Sequence, residues 1–139
     1  MGHIRYLTLT LITLTILGCG ASSDNTSNSA DKLIGTWTYT YPNQCVETTT
    51  FSKDNTWLIT ALDSIQSGTY SFSEGDPGGK HTVELTVSED NGLPDCAGES
   101  NTIPTGITLP VYVLFPLTTT LEIYFEKDHI TPAYSLTKA

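Results

Sequence analysis

From Leu33 onward the chain consists of short segments in which apolar and polar residues alternate, separated by clusters of turn-forming residues. Residues 36–41 alternate threonine with an aromatic side chain, and residues 81–88 alternate polar with apolar positions in the same way. Such alternation is typical of half-buried β-strands, and strands recurring about every 8–12 residues are typical of a β-sandwich or an antiparallel barrel. The pattern predicts eight strands, over residues 36–41, 45–51, 57–62, 68–72, 81–88, 109–117, 119–126 and 130–136.

The first nineteen residues have a different pattern. An uncharged, mostly apolar run over residues 6–18 follows Arg5 and ends in small residues, which is the layout of a secretory signal peptide and is too short for a stable membrane span. The sequence Ile16-Leu17-Gly18-Cys19 resembles the lipobox of bacterial lipoproteins. That resemblance implies removal of residues 1–18 and a lipid anchor on Cys19. A soluble secreted protein with an incidental cysteine at the boundary is the alternative.

Residues 20–31 contain no large apolar side chain, so we expect residues 19–31 to be the lipidated cysteine and a flexible tether. The folded domain is expected over residues 32–139. Gly20, and not an aspartate, follows the cysteine. By resemblance to enterobacterial lipoproteins, this favours the outer membrane of the cell envelope.

Composition supports an all-β domain and excludes two classes of function. The chain has 24 Thr and only 6 Ala among 139 residues, which favours strands over helices. A hydrophobic fraction of 38% is too low for a protein with many membrane spans. A formal net charge of −9 argues against a nucleic-acid partner, because phosphates would be repelled.

Cys45 and Cys96 are the cysteines that remain besides the lipidation candidate. An exported compartment permits disulfides, and two thiols allow a single intramolecular pairing. Neither cysteine belongs to a Cys-x-x-Cys motif or has a histidine within five positions. The sequence therefore predicts a structural Cys45–Cys96 disulfide and not a catalytic or metal-binding thiol.

The start of the domain, Leu33-Ile34-Gly35-Thr36-Trp37, resembles the Gly-x-Trp first strand of lipocalins and related small barrels. Residues 51–57 and 68–72 resemble the next hairpins of lipocalin-like domains in bacterial lipoproteins. The resemblance implies an up-and-down, lipocalin-like barrel of about eight strands with Trp37 as its plug. It also implies a cation stacked over that tryptophan. No Arg follows Arg5, which leaves Lys127 for that position. The C-terminal helix that is usual in lipocalins is not evident in the sequence.

A barrel of eight strands is just wide enough either to be filled by its own side chains or to hold one small ligand. The candidate wall for an apolar ligand consists of six aromatic side chains: Trp37, Tyr39, Tyr41, Trp57, Tyr70 and Phe72. Plain core packing is the alternative role for these residues, and it is the one that we favour. Glu47 would also face inward, and could orient a ligand, if Cys45 and Phe51 do. We favour the opposite facing, with Val46 inside and Glu47 in water, since Thr48 and Thr50 fit either face.

No residue set predicts catalysis, a cofactor or a metal site. His81 and His129 are far apart without a zinc-ligand pattern, and Gly-x-Ser-x-Gly and phosphate-binding loops are absent from the sequence. The acidic residues Glu89, Asp90, Asp95 and Glu99 lack the spacing of a calcium loop. The apolar stretch 109–116 is expected to be a buried strand or an exposed patch that meets lipid or a partner.

These observations predict a membrane-anchored lipoprotein that is not an enzyme and serves as a module for binding a small apolar ligand or as an envelope accessory. The alternative is an inhibitor or partner-binding domain, because an acidic domain suits a cationic protein such as lysozyme. Small disulfide-bonded lipoprotein barrels that inhibit lysozyme resemble this domain, although their motifs are not recognisable here.

Overall fold

A computed structural model describes residues 28–100 and 102–139. The described chain consists of one short helix and eight strands, in the order α1 (Ser29–Leu33), β1 (Gly35–Thr40), β2 (Val46–Phe51), β3 (Thr56–Ala61), β4 (Ser64–Ser73), β5 (His81–Asp90), β6 (Thr108–Leu117), β7 (Thr120–Tyr124) and β8 (Tyr134–Lys138). The predicted signal peptide (residues 1–18), Cys19 and residues 20–27 of the predicted tether lie outside the described residues.

The strands form a closed barrel in which each strand pairs antiparallel with its neighbour in the chain. β1 closes the barrel against β8 through the pairs Trp37–Lys138 and Thr38–Thr137. The predicted all-β, up-and-down barrel of eight strands is thereby confirmed. Gly68 is required at the contact between β4 and β5, since a Cβ atom there would lie 1.8 Å from the carbonyl oxygen of Thr86. The register between these strands shifts at the same place, between Ser67 and Gly68.

The up-and-down order determines which loops lie together. The loops that follow odd-numbered strands start at one end, which we call the mouth: residues 41–45, 62–63, the described residues of 91–107, and 125–133. Loop 125–133 then reaches back to the loop before β5, where Lys80 donates hydrogen bonds to the carbonyls of Lys127 and His129. α1 and the loops after even-numbered strands lie at the other end, the floor. In a closed ring of eight strands the β1–β2 pair stands opposite the β5–β6 pair. Loops 41–45 and 91–107 therefore start from opposite walls of the barrel.

The floor is closed by α1 and by the start of β1. Leu33 and Trp37 are fully buried, and the Trp37 indole donates a hydrogen bond of 2.8 Å to the Leu33 carbonyl. The Lys138 ammonium lies 5.0 Å from the Trp37 ring centroid and donates a 3.2 Å hydrogen bond to the carbonyl of Ile34. Gly35 has a φ of 135°, and a Cβ there would be only 3.0 Å from Lys138 Cε. The cation over Trp37 is therefore Lys138, and the assignment to Lys127 is wrong.

Some boundaries differ from the sequence prediction for identifiable reasons. β4 begins at Ser64, four residues before its predicted start, because Leu62 takes a positive φ of 55° and permits a tight turn directly after β3. β8 starts at Tyr134, whereas the prediction started at Ile130. Pro132, which has no N–H for a strand ladder, lies in the loop that replaces those residues. Residues 29–31, expected in the tether, belong to α1.

Candidate functional site

The barrel interior contains a cavity of about 470 Å³ above the Trp37 floor, on the side of the mouth. Strands β2 to β8 all contribute inward side chains to its wall. Most of that wall is apolar, and its core consists of Phe51, Trp57, Ile59, Leu85, Val87, Val111, Val113, Ile123 and Leu136. The interior is therefore incompletely filled by the protein's own side chains. A space of this size is in the range of small-molecule sites in proteins.

Glu47 faces into this cavity, so the facing that we favoured for β2 is wrong. Val46 is 49% exposed, whereas Thr49 and Phe51, which share the face of Glu47, are buried. The register explains the facing, because Glu47 pairs with Tyr39 of β1 and with Ala61 of β3, and Ala61 is also buried. The threonines at 48 and 50 carry no preference that would have shown this in the sequence.

The Glu47 carboxylate is held in a poorly hydrated position. The Tyr41 hydroxyl donates a 3.2 Å hydrogen bond to Glu47 Oε2. Burial raises the pKa of Glu47, the bond from Tyr41 opposes that rise, and the negative charge of Asp95 adds to it. Burial and the Glu47 carboxylate raise the pKa of Tyr41 in turn, so this hydroxyl stays protonated and can donate.

A group of aromatic side chains in contact with one another lies on the side of the mouth, next to Glu47 and its partner Tyr41. The ring centroid of Tyr39 lies 4.8 Å from that of Tyr41 and 5.1 Å from that of Tyr134, both edge to face. Phe125 packs edge to face on Tyr134 at 5.9 Å. Tyr134 and Phe125 line the cavity, while Tyr39 packs against the core beside it. We call these four rings and Glu47 the mouth cluster.

The other aromatic candidates lie in different places. Trp57 lines the cavity and donates a 3.0 Å hydrogen bond to the Thr69 carbonyl, whereas Trp37 lies in the floor and does not line the cavity. Tyr70 packs edge to face on Phe51 at 5.2 Å, and its hydroxyl donates to the Ser52 carbonyl. Phe72 stacks obliquely on His81, 5.3 Å away. Of the candidate residues, Glu47 and Trp57 therefore line the cavity.

A loop that the sequence analysis left unassigned crosses the mouth. The predicted disulfide between Cys45 and Cys96 is present and joins loop 41–45 to the loop between β5 and β6, whose described residues 91–100 and 102–107 we call the strap. Asn43 Nδ2 donates a 2.9 Å hydrogen bond to the Cys96 carbonyl at the same place. Since these loops start from opposite walls, the strap spans the opening.

The strap also contributes a side chain to the cavity. Its far end is held by Asp90, whose Oδ2 accepts a 2.9 Å hydrogen bond from the Ile103 backbone, and Ile103 lines the cavity. The strap therefore acts as a cover. The sequence signal that points to Ile103 is indirect: the disulfide draws the loop that contains Cys96 across the mouth, and Ile103 lies in the same loop.

The apolar stretch 109–116 forms most of β6, and its side chains are buried or exposed according to the face of the strand on which they lie. Val111 and Val113 point inward and are buried, whereas Leu109 lies at the mouth, 37% exposed, and also lines the cavity. Exposed apolar side chains at or near the mouth also include Leu93, Ile107, Phe125 and Ile130.

The remaining polar residues of interest hold the backbone in place or lie near the floor. His81 Nδ1 is 3.0 Å from Glu74 Oε2 and 3.0 Å from the Gly75 nitrogen, beside a second cavity of about 370 Å³. Asp95 accepts hydrogen bonds from the backbone of Ala97 and Glu99 within the strap. Over residues 28–100 and 102–139, no group of three or more His, Cys, Asp and Glu side chains is arranged to hold a metal ion. The described residues also include no helix that is long and apolar enough to cross a membrane.

Comparison of the chain with protein-family models, with curated protein sequences and with solved structures yields no match in any of the three. The function must therefore be inferred from the cavity and from the residues around it.

Proposed function

We propose that this protein binds a small, largely apolar molecule inside its barrel and acts as a binding protein and not as an enzyme. The observation that carries the proposal is the cavity of about 470 Å³ with its mostly apolar wall. Removal of apolar ligand surface from water contributes roughly 25 cal/mol for each Å² that is buried. A preformed wall of this kind supplies that free energy without a large rearrangement of the protein.

The cavity also supports one of the two functions that the sequence left open more than the other. An eight-stranded barrel can be filled by its own side chains. A protein that only presents its surface to a partner does not require a cavity. The inhibitor function is based on the acidic net charge and on a resemblance to small disulfide-bonded lipoprotein barrels whose motifs are not recognisable here. The open interior favours the ligand, and we therefore place the partner-binding function second.

The proposal includes attachment of the barrel to the bacterial cell envelope, with the outer membrane favoured, through a lipid on Cys19. It is supported by the residue pattern at positions 16–19 behind an apolar run. Two or more acyl chains on one cysteine give stable anchoring, which a single chain does not. We expect Cys19→Ala to move the protein from the membrane to the soluble fraction, and a variant that still sediments with membranes would contradict this part.

Native mass spectrometry of the purified full chain tests the ligand directly. We expect a non-covalent adduct that disappears from the spectrum under denaturing conditions, in which a covalent lipid would persist. Ile59→Trp places an indole in the cavity, whereas Leu58→Trp places it on the outer face of the same strand, where Leu58 is 41% exposed. The adduct should be lost in the first variant and kept in the second.

A thermal unfolding measurement on each of these two variants verifies that it is folded. If the full chain carries no adduct, and fatty acids, alcohols and amines leave its unfolding temperature unchanged, the proposed binding function is wrong. A ligand in excess over its dissociation constant must raise the stability of the state that binds it.

A further inference from the structure

The polar end of the cavity has a single sign of charge. Among the described residues that line the cavity, Glu47 is the only one with a charged side chain. In the described part of the chain, close contacts between a carboxylate and a basic side chain join His81 to Glu74 and His129 to Glu126, and neither includes Glu47. The neutral Tyr41 hydroxyl donates a hydrogen bond to Glu47. The cavity therefore presents a carboxylate that no protein cation neutralises in the described structure.

The nearest charged influence on Glu47 strengthens this imbalance. Asp95, in the strap above it, acts on Glu47 as a second negative charge. Lys32, Lys53 and Lys138 lie at the floor. Lys80 binds the carbonyls of Lys127 and His129 and covers the Tyr124 ring. The side chain of Lys127 is exposed between Glu126 and Asp128 and does not line the cavity. With a net charge of −9 for the chain, the potential at the mouth attracts cations and repels anions.

The rings of the mouth cluster complement the same charge. The electron-rich face of a tyrosine or phenylalanine attracts an ammonium group that lies within about 6 Å of the ring centroid. Tyr134 and Phe125 border the cavity, and Tyr39 and Tyr41 stand beside Glu47. Aromatic rings around one carboxylate form a suitable environment for an organic cation, and a poor one for a carboxylate or phosphate headgroup.

We propose that the ligand is an amphiphilic amine, with its ammonium group at Glu47 within the mouth cluster and its apolar body against Trp57 and Val87. This inference rests on the proposed function and names the chemical class of the ligand for the same cavity. Binding of the cation would give the buried carboxylate the charged partner that the protein lacks, and would therefore recover part of the desolvation cost of Glu47. A neutral alcohol would bury the same chain without that gain.

Isothermal titration calorimetry of the full chain with three matched ligands tests the inference. Decylammonium, decanol and decanoate have the same hydrocarbon chain and differ in the charge of the headgroup. We expect decylammonium to bind at least about tenfold more tightly than decanol, and decanoate to bind most weakly. All titrations are done below the concentrations at which these ligands form micelles.

The matched variants are Glu47→Gln and Glu84→Gln. Both remove one negative charge, but Glu84 is exposed on the outer face of β5. Glu47→Gln should reduce the affinity for decylammonium about tenfold more than that for decanol, and Glu84→Gln should change neither. The unfolding temperature of each variant verifies that it is folded, and the comparison of headgroups on the unaltered protein stands even if a variant fails to fold.

The outcomes distinguish a failure of the amine assignment from a failure of the proposed binding function. If decanol binds the unaltered protein as tightly as decylammonium, or if Glu47→Gln weakens both equally, the amine assignment is wrong and the apolar binding function stands. Tighter binding of decanoate than of decylammonium would also overturn the assignment. If none of the three ligands binds, the proposed function fails for these chains, and the inference fails with it.

Discussion

At the scale of single residues, the floor of the barrel depends on a cation that the sequence pattern did not identify. The resemblance to lipocalins called for a cation over Trp37, and without an Arg after Arg5 it left Lys127 for that position. The predicted eighth strand ended at Leu136, before Lys138. In the structure β8 extends to Lys138, which reaches both the Trp37 ring and the Ile34 carbonyl. The role of a residue near a strand end depends on the register, which alternation alone does not determine.

We predict that Lys138→Met lowers the free energy of unfolding by about 1–2 kcal/mol. The variant loses a charged hydrogen bond and the cation over Trp37, and it leaves the Ile34 carbonyl without that donor. Lys127→Met is the control, since Lys127 lies exposed in loop 125–133, and it should stay within about 0.5 kcal/mol of the unaltered protein. Equal losses in the two variants in urea denaturation would count against this description of the floor.

The buried carboxylate of Glu47 predicts a dependence of stability on pH. The pKa of Glu47 is higher in the folded protein than in the unfolded chain, so the folded state holds its proton more tightly. Stability contributed by the protonated form is therefore lost as pH rises from about 4.5 through the raised pKa of the folded state. Relative to the unaltered protein, Glu47→Gln should gain stability over this interval and stay more stable at neutral pH without ligand.

Urea denaturation of both proteins across that pH interval measures the effect. The quantity of interest is the difference between the two free energies of unfolding, which cancels the titration of groups that the proteins share. A difference that is constant with pH, or one that moves in favour of the unaltered protein as pH rises, would show that Glu47 is not held in a poorly hydrated position.

At the scale of elements, the strap is the structure that lies across the mouth of the cavity. It leaves one wall after β5, is tied by the Cys45–Cys96 disulfide to the loop before β2, and returns to β6 past Ile103. The sequence was sufficient to predict the disulfide. It was not sufficient to predict the cover, because that consequence depends on which strands stand opposite each other in the closed ring.

We predict two effects for the double variant Cys45→Ser, Cys96→Ser. Its free energy of unfolding should fall by up to about 4 kcal/mol, since the cysteines are 51 positions apart and the unfolded chain is released from that closed loop. Ligands should also enter and leave faster, because the strap is no longer tied to the opposite wall. Stopped-flow measurements of association that give the same rates for both proteins would mean that the strap does not cover the mouth.

The strands themselves show which elements a sequence pattern can determine. β5 and β6 start within one residue of their predicted starts, because a long alternating run begins at His81 and a long apolar run begins at Leu109. β4 and β8 moved by four residues, at a tight turn with Leu62 in the left-handed region and at the loop that contains Pro132. Local patterns therefore identify strands well, and turns in uncommon conformations shift their ends.

At the scale of the whole molecule, the number of strands and their spacing were enough to predict a barrel of eight. Whether its interior is filled could not be predicted, because the empty volume depends on the register and tilt of all strands together. Trp57 and Glu47 line a cavity of about 470 Å³, whereas Tyr70 and Phe72, which share the same alternating pattern, pack elsewhere. The central claim is that this cavity holds a largely apolar ligand.

Quenching of tryptophan fluorescence by a brominated decyl chain tests that claim most directly. Bromine quenches a tryptophan that it contacts, Trp57 lines the cavity and Trp37 does not, and the chain has no other tryptophan. A titration of the unaltered protein should show saturable quenching of part of the emission, and Trp57→Phe should abolish it. The absence of saturable quenching, or equal quenching in the two proteins, would contradict the claim that the ligand occupies the barrel.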